Sequence, residues 1–505
     1  MAGEIAAPRA RKSFDGKVGQ TLPSVNPSVR GAVDSDWHGY FMTGPDVSKP
    51  RATWLRWAAV LIPAALLLAF PPSGLNARQD HLLAVFVATI VALVAQPVPM
   101  GVSCVVAMTV LALTRTVTPA QVLSGFANLT VWLIFTAFLF SRSFTQTGLG
   151  KRIGYLFIRR LARTPLSLGY SFAAADLVLA PFIPSDTARG GGVIYPIARS
   201  VALNFGSEPG GPTRSTGAFL ILVCFHTTYV ASAMFLTGMA ANPLIADFAR
   251  QYARVELTWT RWATGAIVPG LLTLTTVPWL LKRWCRPAIR DTAPARAFAA
   301  AELERMGPLS RREKWLVGIM LAVMVGWVTS PWHGIPNTFV ALAGLSAILL
   351  ARVLTWDDLL DEKKAWDALI WFAPLIMMSD ELSRGGAIGV LSHSLFRAYA
   401  GLPWMMVALA LAVTYLYVHY GFASMTGHIM ALYPGFLVAM LAGGVPPMLA
   451  ALVLAYYSNL NAGITHYGTG SAPIYFSSGY VSQTDWWRLG FCISLVNLVI
   501  WLGVG

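Results

Sequence analysis

Long apolar runs separated by short polar segments organise this chain. Runs long enough to cross a bilayer fall near 53–72, 80–98, 100–117, 126–148, 216–236, 262–281, 314–332, 335–353, 366–382, 448–465 and 486–504. Two further apolar regions, 165–205 and 401–441, are interrupted midway by polar residues. The pattern predicts an all-α polytopic membrane protein with about eleven transmembrane helices, the two interrupted regions folding as re-entrant helical hairpins. Exposed backbone at a hairpin tip is tolerable in a membrane only where it is buried in protein or lines a cavity. Residues 1–52 are polar, contain Pro and Gly, and lack an apolar run, which predicts a disordered cytoplasmic tail.

The interruptions occur in pairs. Pro184-Ser185-Asp186-Thr187 is followed by Tyr195-Pro196, and Ser424-Met425-Thr426 by Tyr433-Pro434. Each unit leads to a second Gly/Pro-broken segment, Thr237–Pro243 and Gly468–Pro473. Each is preceded, at a similar distance, by a related anchor. Val131-Trp132-Leu133-Ile134 leads to Thr147-Gly148-Leu149-Gly150, and Asp367-Ala368-Leu369-Ile370-Trp371 to Gly385-Gly386-Ala387-Ile388-Gly389. Chance similarity between hydrophobic segments explains any one pair. Three pairs in the same order predict an inverted repeat, 80–281 and 315–505, with a first transmembrane helix in 53–79 and a basic linker at 282–314. Broken segments at matching places in two halves point to a transporter's binding site.

Composition narrows the class. Of 505 residues, 56% are hydrophobic and 12% charged, which excludes an ordinary soluble domain. The net charge of +14 does not call for nucleic acid, because the basic residues concentrate in the tail, in 151–163 and in 282–314. All three lie on one side if 53–281 holds six spans and one hairpin. The positive-inside rule makes that side the cytoplasm. This predicts a multi-pass protein of a bacterial plasma (cell inner) membrane, N-terminus cytoplasmic and C-terminus outside. The stretch 151–163 is amphipathic and expected along the interface. Cys104, Cys224, Cys285 and Cys492 have no metal or disulfide spacing.

The tips carry the candidate chemistry. The first arm of a hairpin ends in free carbonyls that suit a cation, and the second begins with free N–H groups that suit a carboxylate. Pro184 is expected to stop the first arm, and Gly190-Gly191-Gly192 to keep the start of the second unencumbered. Helix capping alone accounts for any single Ser or Thr here; their pairing favours binding.

The stretches Pro-Ser-Asp-Thr-Ala-Arg-Gly-Gly-Gly-Val-Ile-Tyr-Pro-Ile (184–197), Ser-Ala-Met-Phe-Leu-Thr-Gly-Met-Ala-Ala-Asn-Pro-Leu (232–244), His-Tyr-Gly-Phe-Ala-Ser-Met-Thr-Gly-His (419–428) and Ser-Asn-Leu-Asn-Ala-Gly-Ile-Thr-His-Tyr-Gly-Thr-Gly-Ser-Ala-Pro-Ile-Tyr-Phe (458–476) closely resemble the divalent anion/sodium symporter family. They look most like its exchanger branch: citrate/succinate and tartrate/succinate antiporters and 2-oxoglutarate/malate translocators. The resemblance runs from about residue 80 to the C-terminus. It implies an elevator-type homodimer in membrane lipid that exchanges di- or tricarboxylates, with no catalytic residue and no bound metal. It also implies that Ser185, Asp186 and Thr187 hold one substrate carboxylate, and Ser424 and Thr426 the other. Thr237, Asn242, Thr465 and Thr469 would complete the pocket. Sodium is the candidate coupling ion, at Ser185, Asp186 and Gly238, and no other cofactor is expected.

Two departures from the family pattern stand out. Where the first tip usually reads Ser-Asn-Thr, this chain has Asp186. An ionised Asp only accepts hydrogen bonds and repels an anion unless it is paired, protonated or cation-bound. Three readings follow: an Asp186–Arg189 pair, a protonatable coupling site, or a cation ligand. The second tip carries Met425 where a polar residue would help hold sodium, which favours exchange over sodium symport. The rival within the same scaffold is a sodium- or proton-coupled carrier of another organic or inorganic anion, with Asp186 as coupling site. Of the intramembrane histidines His226, His419, His428 and His466, the pocket-flanking His428 and His466 are the stronger candidates for substrate contact. An enzyme built on them would need a metal or a nucleophile–base pair that their spacing does not supply. Asp176, Asp380 and Glu381 are expected to pair within the bundle.

Overall fold

A computed structural model describes residues 50–386 and 401–505. The expected tail up to residue 49, and the end of the second anchor (Ala387-Ile388-Gly389), lie outside the described residues. The described residues form helices and no strand. The first half contains α1 (Pro50–Ala69), α2 (Ala77–Ala95), α3 (Met100–Leu113), α4 (Pro119–Ser124), α5 (Leu129–Thr147), α6 (Leu149–Leu161), α7 (Pro165–Leu179), a π-helical stretch Thr187–Ile194, α8 (Tyr195–Asn204), α9 (Arg214–Met234), α10 (Asn242–Ala253) and α11 (Trp259–Cys285). The rest contains α12 (Ala293–Met306), α13 (Arg311–Val328), α14 (Ser330–His333), α15 (Asn337–Leu350), α16 (Trp356–Leu360), α17 (Lys363–Arg384), α18 (Trp404–Val418), α19 (Met425–Ala442), α20 (Pro447–Leu460), α21 (Ala472–Phe476) and α22 (Gln483–Gly503).

Among the described residues, six helices are long and apolar enough to cross a membrane alone: α2, α9, α11, α18 with its extension to Gly421, α19 and α22. A seventh forms if α4 and α5, bent by 45° at their junction, count as one span. The sequence runs 100–117 and 335–353 predict longer helices than form. Both α3 and α15 have 14 residues, about 21 Å of helix against a hydrocarbon core of about 30 Å. The same local device ends each. Arg115 and Arg352 follow with φ of 54°, the left-handed conformation that closes a helix. Thr118 and Thr355 then cap the next short helix by paired hydrogen bonds with Gln121 and Asp358. The region 401–441, expected as a hairpin, forms α18 with its extension and α19, of 18 residues each, so length alone lets either cross.

Helix α9 sits at the centre. Its apolar window is 94% buried, where the other five candidate spans reach 28–56%, and an all-round apolar helix belongs inside a bundle. It packs against α7, α8, α11 and α20. A second group forms where α3 and α5 pack on α17, and α13 packs on α15. The segment 282–314 is more than a linker: α12 lies against α6, with Tyr155 edge-on to Phe298 at 6.0 Å.

Within the basic stretch 151–163, Arg152 is not a surface charge. It is buried, and its Nε donates to Glu313 Oε1 at 2.6 Å while Nη1 donates to the Gly307 carbonyl at 2.8 Å. Glu313 lies in the first turn of α13, ahead of its apolar stretch, and closes a capping box with Ser310. Burial opposes its charge, but hydrogen bonds from Arg152 and Ser310 outweigh this and hold the carboxyl below its usual 4.5. A depressed carboxylate stabilises the fold above its unfolded pKa, and that stability is lost as pH falls through the folded value. Glu313→Gln is expected to cost about 3 kcal/mol at neutral pH by leaving Arg152 without its counter-ion. Thermal melts in detergent should also show a shallower acid limb than the parent below pH 4.5. Parallel curves for the two proteins would refute the assignment.

Candidate functional site

The first tip is built around Arg189, whose side chain is 0% exposed. Nε donates to Asp176 Oδ1 at 2.7 Å. Nη1 donates to the carbonyls of Ile183 and Gly238 at 2.7 and 2.9 Å. Nη2 donates to the Thr228 carbonyl at 2.9 Å and Ser232 Oγ at 2.5 Å. A guanidinium has five N–H donors, so all are in use. Asp186 lies 3.6 Å from Nη2 and takes its hydrogen bond from Ser232 Oγ instead. The expected Asp186–Arg189 pair therefore exists as a charge contact, but the guanidinium's shorter ion pair is with Asp176 on α7. Two buried carboxylates share one cation, and Asp186 Oδ2 has no hydrogen-bond partner among the described residues.

Two expectations about this tip are corrected. The first arm ends at Leu179, two residues before Pro181, not at Pro184; proline has no N–H with which to continue the ladder. Gly192 is exposed and open as expected, with nothing closer to a Cβ there than the Thr187 carbonyl at 3.9 Å, but Gly190 and Gly191 leave no open approach. A Cβ at Gly190 would lie 2.8 Å from Thr228 Cγ2, and one at Gly191 would lie 2.5 Å from Ile474 Cδ1. They are small so that neighbours can close on them. Ser185 Oγ accepts from the Ala188 N–H at 3.2 Å, an ordinary cap.

The first broken segment is tied to this tip. Thr237 Oγ1 donates to the Pro181 carbonyl at 2.8 Å and accepts from Trp259 Nε1 at 3.2 Å. Asn242 Nδ2 donates to the carbonyls of Ser232 and Phe235, both at 3.0 Å. Its Oδ1 accepts from Asn459 Nδ2 at 2.9 Å, which joins the first break to the end of α20. Gly238 presents its carbonyl to Arg189, and a Cβ there would meet the Ser232 carbonyl at 2.6 Å. Thr237 and Asn242 thus spend their polar atoms on shaping the break.

The second break reaches across to the first tip. Tyr475 donates to the Gly190 carbonyl at 2.8 Å, and a Cβ at Gly470 would lie 2.4 Å from Thr187 Oγ1. The second tip meets this break through His419, whose Nε2 donates to the Gly468 carbonyl at 2.8 Å. Helix α10, which begins at the end of the first break, lies along α19, with Phe248 stacked on Tyr433 at 6.2 Å.

Around the second tip the polar groups are under-satisfied. His428 is fully buried within rings of Tyr415 at 4.4 Å, His419 at 5.0 Å and Phe422 at 5.1 Å, and neither ring nitrogen has a partner among the described residues. The same holds for both amide atoms of Asn461 and for Thr465 Oγ1, also fully buried. Ser424 Oγ accepts from the Gly427 N–H at 3.2 Å, and Thr426 is half-buried with no side-chain hydrogen bond among the described residues. Thr469 is buried, and its carbonyl accepts from the Ala472 N–H at 3.1 Å. His466 is turned to Trp487, whose Nε1 donates to its Nδ1 at 2.9 Å. His226 pairs with Tyr229 at 2.6 Å. No group of three His, Cys, Asp or Glu side chains that could hold a metal occurs among the described residues.

Sequence reasoning passed over Ser232, Asn459 and Asn461. Their signal was present: Ser232 stands five residues before Thr237, and both asparagines interrupt the end of an apolar run. Asp176 pairs within the bundle as expected, and Glu381 does too, with Arg384 at 3.2 Å and Gln121 at 2.7 Å.

Comparison with known proteins agrees with this architecture. A Bacillus subtilis (strain 168) protein named as a malate transporter, YflS, is 44% identical over 91% of this chain and 97% of its own. The chloroplastic dicarboxylate transporter 1 of Arabidopsis thaliana is 42% identical over 88% of this chain and 81% of its own. The L-tartrate/succinate antiporter of Escherichia coli (strain K12) is 33% identical over 90% and 97%. The crystal structure of the Alcanivorax borkumensis YdaH transporter shares the fold, with a TM-score of 0.55 at 16% identity over 90% of this chain and 97% of that one. Residues 51–505 match the sodium:sulfate symporter transmembrane region, and the chain belongs to that family of membrane transporters, which are not enzymes.

Proposed function

We propose that this protein is a secondary transporter that exchanges small dicarboxylates of the malate and succinate class across a bacterial plasma membrane. The observation that carries the reading is the cluster of buried, unpartnered polar atoms on Asn461, Thr465 and His428 beside the second tip. An unsatisfied buried polar group costs about 1–3 kcal/mol, and a bound carboxylate would offset that cost by accepting from amide, hydroxyl and imidazole N–H groups. Ser424 and Thr426 stand at the same tip; Ser185 and Thr187 stand at the other, within reach of a second carboxylate. The relatives named for malate, dicarboxylates and tartrate/succinate support the substrate class.

Inverted repeats over 80–281 and 315–505 are supported by the paired Arg115 and Arg352 caps and the paired Thr118 and Thr355 starts. On this reading 165–205 and 401–441 are re-entrant hairpins, which move with α9, α11, α20 and α22 in an elevator cycle while a homodimer holds the remainder in the membrane. The N-terminus is cytoplasmic and the C-terminus outside, as the basic segments require. The second reading, coupling to a proton or sodium, is favoured by one feature: Asp186 is the second carboxylate beside a single guanidinium, with Oδ2 unpartnered.

Purified protein in liposomes preloaded with succinate is expected to take up labelled malate, and to do so poorly into empty liposomes. Equal uptake into both would replace exchange with symport, and no uptake across a panel of carboxylates would end the substrate proposal. Thr465→Val removes an unpaired hydroxyl, so the ligand-free melting temperature should hold or rise while KM for exchange increases about tenfold, near 1.4 kcal/mol. An unchanged KM would show that Thr465 does not touch substrate. If Asp186 carries the coupling ion, Asp186→Asn should abolish the pH or sodium dependence of uptake; an unaltered dependence assigns coupling elsewhere.

A further inference from the structure

One charged cluster lies apart from both tips and both breaks. A cavity of about 670 Å³ opens where the start of α9, the end of α11 and the start of α22 come together. Arg214, Arg283, Arg286 and Arg488 line it, with Tyr480 and a single carboxylate, Asp485. Asp485 is already committed: its Oδ2 accepts from the Ser482 hydroxyl at 2.7 Å and its N–H donates to Ser482 Oγ at 3.2 Å, capping α22. Among the described residues none of the four guanidinium groups has an ion pair or a side-chain hydrogen bond. The cavity wall therefore presents four cations against one engaged anion. The N-termini of α9 and α22 add partial positive charge at the same place.

The surroundings say what kind of anion fits. Trp284 is exposed at the rim, the level at which tryptophan sits in a bilayer interface. Beyond it Leu271, Leu272 and Trp279 on α11, and Phe491, Leu495 and Val499 on α22, are all exposed. These two helices pack together, so an apolar surface runs away from the basic cavity. A free anion would use the cavity and ignore that surface, whereas an amphiphile would use both. Arginine matches phosphate oxygens in paired hydrogen bonds, and basic pockets between transmembrane helices suit anionic lipid headgroups. We propose that this cavity binds the phosphate headgroup of an anionic phospholipid, with the acyl chains along the exposed faces of α11 and α22. The site takes Arg283 and Arg286 from the basic segment 282–314 and is independent of which substrate is carried.

The test uses the full chain in phosphatidylcholine nanodiscs with and without phosphatidylglycerol. Phosphatidylglycerol should raise the melting temperature by several degrees. The triple variant Arg283→Gln, Arg286→Gln, Arg488→Gln should lose most of that gain, while Arg159→Gln, Arg160→Gln on the exposed face of α6 should keep it. Should the triple variant fail to fold, Arg488→Gln alone is compared with the parent by native mass spectrometry, counting retained phosphatidylglycerol; fewer lipids on the variant support the site. An undiminished gain, or an undiminished lipid count, overturns it. Inorganic phosphate, glycerol phosphate or succinate that matches the gain in pure phosphatidylcholine, and loses it in the triple variant, would make this a free-anion site and overturn the lipid assignment.

Discussion

A single guanidinium holds the first tip together. Arg189 bonds α7 through Asp176, the turn through the Ile183 carbonyl, the C-terminal part of α9 through Thr228 and Ser232, and the first break through Gly238. Broken helices leave carbonyls that a membrane interior cannot hydrate. One side chain with five donors satisfies two of them, at Ile183 and Gly238, while carrying the charge that makes two buried carboxylates tolerable. Its loss would leave those carboxylates uncompensated, a penalty of about 3–5 kcal/mol for breaking a buried pair. The interrupted hairpin and the glycine-packed π-helical stretch both rest on this hub.

The two tips consequently differ. At the first, all five Arg189 donors are engaged inside the protein and Gly190 and Gly191 press against Thr228 and Ile474, while Asp176 Oδ2 and Asp186 Oδ2 have no hydrogen-bond partner among the described residues. At the second, Ser424 caps its own helix, and among the described residues His428, Asn461 and Thr465 have no side-chain hydrogen-bond partner in fully buried positions. A network satisfied internally makes a rigid wall, and one left unsatisfied makes a place where a ligand gains more than it would from water. On the proposed function, the first copy of the motif would serve more as a braced scaffold and the second more as a contact surface, with both facing substrate. Asp186, the residue that departs from the family pattern, sits on the scaffold side, where an added carboxylate bears on charge balance more than on substrate shape.

Much of this was legible in the sequence because membranes impose strict patterns. Apolar runs gave the helices, and Pro, Gly and Ser at Pro184–Thr187, Ser424–Thr426, Thr237–Pro243 and Gly468–Pro473 marked the breaks. Helix ends were less legible. The apolar runs 100–117 and 335–353 outlast α3 and α15, since a left-handed arginine rather than a change of polarity stops each helix. The partners of the polar residues were not legible at all. Nothing in the spacing of Asp176 and Arg189, thirteen residues apart across a break, says that they pair. Nor does sequence alone reveal that Asn242 spends its amide on the Ser232 and Phe235 carbonyls and on Asn459. Those facts belong to the tertiary fold, where the burial of one group decides which other must turn toward it.

Under the proposed elevator reading, the parts that travel together must be joined more firmly to one another than to the rest. The hydrogen bonds are distributed in that way. Arg189, Asn242–Asn459 and Tyr475–Gly190 lock the first hairpin, both breaks and α9 into one unit. Toward the α3–α5–α17 group, α10 offers Gln251 and Tyr252, both to Ser379 of α17, at 2.9 and 2.7 Å. These exchange readily for water or a new partner, because a neutral hydrogen bond contributes only about 1 kcal/mol net. The Arg189 hub has no such freedom: sliding any of its elements would strand a buried charge. The energetic contrast between the hub and the Ser379 contacts places the movable seam along α10, with both tips on its moving side.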